Sequence, residues 1–233
     1  MTRDRVKALL FSAAALMAAS AAQAQVGHDP AKSPYADLEY RQEFTLLGGY
    51  LRARHDPADI LPQSRPMFGV RYEATLTGPL AISSDLITGF GDRNVVNPNK
   101  PPATRNVGTQ SNAVIEADIA AAMNLTGTRS WHNLVPQVRA GLGLVRSAAK
   151  DDSSGYGFGT PFAFVFGGGV KYVRAGRFQL RADLTERVFK QTYPDSYYRP
   201  VGDQLAVLPT STAKSFYTHH AAFTLGVSYL FAR

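Results

Sequence analysis

The sequence predicts an all-β chain, a closed antiparallel up-and-down transmembrane β-barrel of about eight strands with a lipid-facing apolar exterior and a polar lumen. Three observations lead there. About eight stretches alternate apolar with small or polar residues, each ~9–13 residues long, the length a tilted strand needs to cross a bilayer. The connections between them alternate in length, as in barrels that keep short turns on one side of a membrane and long loops on the other. The chain also opens with an export address.

Each strand rests on its own pattern. Glu43–Leu51 sets Phe44, Leu46, Gly48 and Tyr50 on one face, with Leu47 and Leu51 weakening the alternation. Met67–Thr77 alternates cleanly, Phe68, Val70, Tyr72, Ala74 and Leu76 against Gly69, Arg71, Glu73 and Thr75. The tight turn Thr77-Gly78-Pro79 leads into Leu80–Phe90, where Ile82 and Leu86 oppose Ser83 and Asp85. Ser111–Met123 and Leu134–Arg146 follow, the first opposing Ile115 and Ile119 to Glu116 and Asp118, the second opposing Val138 and Leu142 to Arg139 and Gly141. Pro161–Arg174 pairs Phe162, Phe164 and Phe166 against Gly167, Gly169 and Lys171, and Ala175-Gly176 turns into Phe178–Lys190, with Arg181 and Asp183 on its polar side. The last strand begins at Tyr217. The loops 52–66, 91–110, 147–160 and 191–216 are long, whereas 77–79 and 175–176 are short and 124–133 is intermediate.

Alternation alone does not say which face looks outward. Size does. Glycine, alanine and serine share a face with the charged residues, and eight strands enclose room only for modest side chains. The other face carries aromatics near the strand ends, where an interfacial girdle belongs. The charges of one parity, Glu43, Arg71, Glu73, Asp85, Glu116, Asp118, Arg139, Lys171, Arg181 and Asp183, therefore point into the lumen. Six acids and four bases in a narrow interior must pair, because a lone buried charge is too costly. They read first as a salt-bridged plug and second as a polar ion path.

Arg3, Arg5 and Lys7, the apolar run Ala8–Ala19 and the small-residue site Ala22-Gln23-Ala24 make residues 1–24 a secretory signal peptide. Residues 25–42 read as a periplasmic lead-in, and 43–233 as the barrel. There is no cysteine, which excludes disulfides, Cys-based zinc sites and thiol nucleophiles. The formal charge of +7 is scattered rather than gathered in a basic stripe, so nucleic acid is not an expected partner. No pattern calls for a cofactor or a metal.

The terminal stretch holds Thr224, Gly226, Tyr229 and Phe231: polar, glycine, then two aromatics one apart. That spacing resembles the terminal assembly signal of bacterial outer-membrane barrels, with Ala232 and Arg233 added after the last aromatic. With the strand pattern, the mature chain resembles the OmpA/OmpX-type family of small eight-stranded barrels. The resemblance implies residence in the outer membrane amid lipid and lipopolysaccharide, and the barrel-assembly machinery as an insertion partner. It implies a structural or surface-interaction role in adhesion or the envelope, and leaves open a small porin or a lipid-A-modifying enzyme.

Few residues offer chemistry beyond this. His55-Asp56 in the first outer loop brings a base beside a carboxylate, but no nucleophile stands with it. His219-His220 alternates faces and makes a poor metal site. His132 sits beside Trp131 in a periplasmic turn, and Ser147, Ser153 and Ser154 have no elbow motif. The last outer loop is rich in Tyr and Arg, and Tyr193, Tyr197, Tyr198 and Arg199 are its candidate surface contacts.

Overall fold

The computed structural model describes residues 33–148, 152–202 and 205–232. The leader expected at 1–24 and residues 25–32 of the lead-in lie outside the described residues, as does Arg233. In chain order the strands are β1 (Tyr35–Asp37), β2 (Gln42–Ala53), β3 (Arg65–Thr77), β4 (Leu80–Val96), β5 (Asn106–Asn124), β6 (Arg129–Trp131), β7 (Leu134–Ser147), β8 (Phe162–Val173), β9 (Phe178–Thr192) and β10 (Ser215–Phe231). Eight of them, all but β1 and β6, pair antiparallel around a closed barrel. The seam is β2 against β10, registered from Gln42↔Phe231 to Ala53↔His220.

Following partners once around from Thr45, through Arg71, Asp85, Asp118, Gly143, Ala163 and Phe189, leads to Thr218. Thr45's own partner across the seam is Ser228, ten residues farther along β10. That stagger tilts the strands and fixes the width of the interior.

The apolar face looks outward. Phe44, Leu46, Phe68, Leu86, Ile119, Leu142, Phe164, Leu184, Phe223 and Leu225 are each at least 42 % exposed to the surroundings of the barrel. Such a continuous apolar band is tolerable only against lipid. Aromatics gather at its periplasmic edge, with Tyr72 and Phe231 ring centroids 6.2 Å apart and Phe178 and Tyr229 5.5 Å apart.

Two strands run farther than alternation alone indicates. Much of 91–110, read as loop, is the outer end of the β4–β5 hairpin, leaving a loop only from Asn97 to Arg105. Ladder hydrogen bonds do not require apolar side chains, so the polar run Gly91–Asn94 against Thr109–Asn112 stays paired above the membrane. The lead-in also holds more order than expected. Its β1 pairs with β6 inside the β5–β7 connection, through Tyr35↔Trp131, Ala36↔Ser130 and Asp37↔Arg129. Because β5 and β7 stand across the barrel from β2, residues 38–41 cross the periplasmic mouth. Leu38 N donates to Thr128 O (3.0 Å) at one side and Arg41 N to Ala232 O (2.8 Å) at the other.

Glycines mark where strands press together. A Cβ on Gly49 would fall against the Phe223 carbonyl oxygen and the Thr224 Cα, backbone that cannot give way, whereas one on Gly48 would meet only the Phe68 ring at 3.7 Å. Gly49→Ala is therefore expected to lower barrel stability by about 1–3 kcal/mol, and Gly48→Ala to leave it nearly unchanged. Urea unfolding of the two variants in lipid vesicles checks this, and equal midpoints would refute it.

Candidate functional site

The lumen begins with strand parity. Alternate residues of each strand point inward, and the ten charged positions of the polar parity all lie inside. Their side chains are no more than 8 % exposed and form one chain of contacts. At the periplasmic end Lys171 Nζ lies 2.6 Å from Glu73 and 3.1 Å from Glu43. Arg181 bridges Glu43 (2.6 Å) and Asp183 (2.8 Å), and Arg71 bridges Asp183 (3.2 Å) and Asp85 (2.6 Å). Arg139 joins Asp85 to Asp118, at 2.7 Å each. Gln137 threads the lower part, donating from Nε2 to Glu73 (2.8 Å) and accepting from Arg181 (3.2 Å).

The chain continues past the positions singled out in the sequence. Arg187 lies 3.2 Å from Asp118 and 3.0 Å from Glu116, so five cations face six carboxylates in the described network. Nearer the outside, Arg65 donates to Asn112 Oδ1 (2.7 Å) and to the Gln63 and Asp92 carbonyls. The surplus of two acids over the four bases is the signal that a further cation faces inward. Arg187 shares the inward parity of β9, whereas Arg65 lay hidden in a stretch that reads as loop.

Apolar side chains close the space beside and above the charges. Leu47, Leu51, Met67, Ile87 and Ala222 form one buried cluster, and Val114, Val145, Ala163 and Phe189 another. Leu47 and Leu51, which blur the alternation of β2, are thus lumen filling. A cavity of about 50 Å³ at the periplasmic mouth, lined by Gln42, Glu43, Glu73, Lys171 and Gln179 among others, has room for only a few waters.

The outer loops form a lid with its own core: Ala58, Ile60, Val96, Tyr193, Tyr197 and Leu208. Asp56 organises it. Its carboxylate accepts the backbone N–H groups of Ala58 (3.1 Å), Ile60 (3.0 Å) and Leu61 (2.9 Å) and the Tyr193 hydroxyl (2.5 Å). His55 turns the other way and pairs with Asp59 at 3.0 Å, so the two adjacent residues do not act together. Farther round, Arg93 pairs with Asp152, and its guanidinium lies 6.0 Å from the Tyr156 ring centre.

This lid corrects the reading of the last loop. Tyr193 and Tyr197, expected as surface contacts, are 1 % and 0 % exposed and are core residues. A short 3-10 turn at Asp195–Tyr198 folds them back over the barrel, where Tyr197 donates to the Val96 carbonyl (3.2 Å). An aromatic with one polar tip is as suited to a loop core as to a binding surface. Tyr198 is half-buried, its hydroxyl donating to Ala213 O (3.2 Å), and Arg199 remains exposed.

In the terminal strand, Thr224 and Gly226 face the lumen, Tyr229 faces outward and Phe231 lies half-buried at the strand's end. A Cβ on Gly226 would meet Thr45 Cγ2 at 2.7 Å, Leu47 Cδ2 at 2.8 Å and Arg181 Cγ at 3.0 Å. The glycine of the motif therefore admits the ion-pair chain. Tyr229 accepts a hydrogen bond from Arg177 (2.9 Å) at the periplasmic rim.

Two outcomes follow. Asp85→Ala takes one of two carboxylate partners from both Arg71 and Arg139, and a loss of about 3–5 kcal/mol in urea unfolding free energy is expected, against under ~1 kcal/mol for Arg129→Ala in the exposed Arg129–Asp37 pair. Similar losses in both would refute the network's role in stability. In the lid, burial pushes the Tyr197 hydroxyl up to about 12, and burial with the Asp56 hydrogen bond raises Tyr193. Both groups are neutral when folded, so their contribution is intact below about pH 10, the unfolded tyrosine value, and is lost as pH climbs through the folded values. Tyrosinate absorbance should show late-ionising tyrosines that Asp56→Asn shifts toward ordinary behaviour.

Comparison with known proteins agrees with this geometry. The family model described as "Outer membrane protein beta-barrel domain" matches residues 11–231. Comparison with curated proteins finds no match. Among solved structures, the chain is similar to neisserial surface protein A (NspA), with 14 % identity, a TM-score of 0.52, and coverage of 82 % of this chain and 97 % of that one. It is also similar to the outer membrane protein OprG from Pseudomonas aeruginosa, with 11 % identity, a TM-score of 0.51, and coverage of 83 % and 98 %. At these identities the likeness is one of fold. A family match across nearly the whole chain, joined to a closed eight-stranded barrel with an apolar exterior, places this protein in the outer-membrane β-barrel family.

Proposed function

We propose that this outer-membrane protein is a non-conducting barrel whose role is structural or surface-interacting, with its working surface in the outer loops and the envelope around it. The observation that carries this reading is the unbroken ion-pair chain from Lys171 to Glu116, running along the lumen with side chains at most 8 % exposed. A hydrated ion entering would have to part groups bound at 2.6–3.2 Å, leaving buried charges without partners. The apolar clusters above and the aromatic lid add two further closures in series.

Terminal recognition by the assembly machinery belongs to the same proposal. Thr224, Gly226, Tyr229 and Phe231 supply the spacing, with the outward Tyr229 and Phe231 at the strand end available before closure.

Single-channel recording of the refolded protein in planar bilayers tests the closed lumen. The wild type is expected to insert and stay silent, and an Arg139→Ala/Arg181→Ala variant to leak, because each removal uncouples two carboxylates. Stable open steps in the wild type would overturn the proposal and make the lumen charges selectivity residues.

A further inference from the structure

Where the lipid-facing band ends on its extracellular side, the register brings three strand positions level. Arg52 of β2 lies opposite Ala221 of β10, which lies opposite Glu186 of β9. The row below is apolar: Tyr50, Phe223 and Leu184, paired in the same order and each at least 52 % exposed. Above come His219 and, one step higher, Lys190 opposite Tyr217, with Arg54 just past the end of β2. All four basic side chains are exposed on the outer wall.

The state of these cations sets them apart from those in the lumen. Among the described residues, Arg52, Arg54 and Lys190 have no ion-pair partner, whereas every cation of the lumen chain has at least one. Glu186, the acid in the row, is engaged by His219 at 3.1 Å, and the neighbouring His55 by Asp59. The side chains frame a groove of about 500 Å³ lined by Arg52, Arg54, Ser64, His219, Ala221 and the His219-paired Glu186.

We propose that this groove binds the phosphorylated sugar headgroup of an outer-leaflet glycolipid, the lipid A portion of lipopolysaccharide, whose acyl chains lie down the Tyr50–Phe223–Leu184 wall. Two arginines can each offer a phosphate two parallel N–H donors. The groove sits where a headgroup meets its chains, and its lower lip is apolar wall. A free phosphate would have no use for that wall, and an uncharged lipid none for the cations. The site rests on the outer-membrane placement of the barrel and not on whether the lumen conducts.

The test titrates the refolded full barrel, in zwitterionic micelles, with diphosphorylated lipid A, the same lipid after dephosphorylation, and inorganic phosphate, read by native mass spectrometry. The wild type should bind the diphosphorylated lipid in preference to the dephosphorylated one and to inorganic phosphate. Arg52→Gln/Arg54→Gln should weaken binding on the order of thirtyfold, at about one strong charge contact per arginine. Arg52→Lys/Arg54→Lys should recover part of the loss. Lys100→Gln/Arg146→Gln removes the same charge from elsewhere in the outer half and should bind as the wild type does. Equal binding of the dephosphorylated lipid would overturn the proposal, and so would an equal loss in the Lys100/Arg146 variant. Retention of the heat-modifiable compact band by each variant separates a lost site from a lost barrel.

Discussion

Everything in this barrel is arranged around the cost of placing charge where water cannot follow. Eight strands enclose a space too narrow for bulk solvent, and eleven acidic and basic side chains share it, from Lys171 to Arg187. Each is stable there only because oppositely charged neighbours sit on adjacent strands at hydrogen-bond distance. Since partners such as Arg71 and Asp85 are directly opposite in the ladder, the ion pairs and the strand register specify one another. A slip of one residue would turn the charges toward lipid and the aromatics inward.

The two faces of the wall thus follow opposite rules. Outside, side chains are chosen for bulk and apolarity, and glycines such as Gly48 leave only gaps that lipid fills. Inside, Gly49, Gly141 and Gly226 are places where any side chain would collide with a neighbouring strand or with the pairs themselves. The terminal strand carries both rules in a few residues, as Gly226 makes way for Arg181 while Tyr229 meets the membrane boundary.

How much was legible in the sequence followed from how strictly each region obeys a period. The barrel strands do, because a residue between lipid and lumen has no third option, and the ten lumen charges were readable from parity once side-chain size had told the two faces apart. Arg65 and the outer β4–β5 hairpin were not, since above the membrane both faces are wet and the alternation that marks a strand fades. Tyr193 and Tyr197 were misplaced for a related reason: loop composition does not distinguish an aromatic that greets a partner from one that packs a lid. Whether Asp56 gathers three backbone amides is decided by loop geometry, to which no periodicity points.

The lead-in that crosses the mouth has a mechanical meaning. Its three-residue β1 is held at the wall opposite β2, so the chain reaches its first barrel strand only after spanning the opening. A pull on the polypeptide from the periplasm loads the short β1–β6 ribbon first, and the slack of residues 38–41 lies between that anchor and the seam. The seam of the closed sheet, β2 against β10, is thereby shielded from the first tension by a fastening of three residue pairs. Three pairs part at a smaller cost than the twelve that hold the seam.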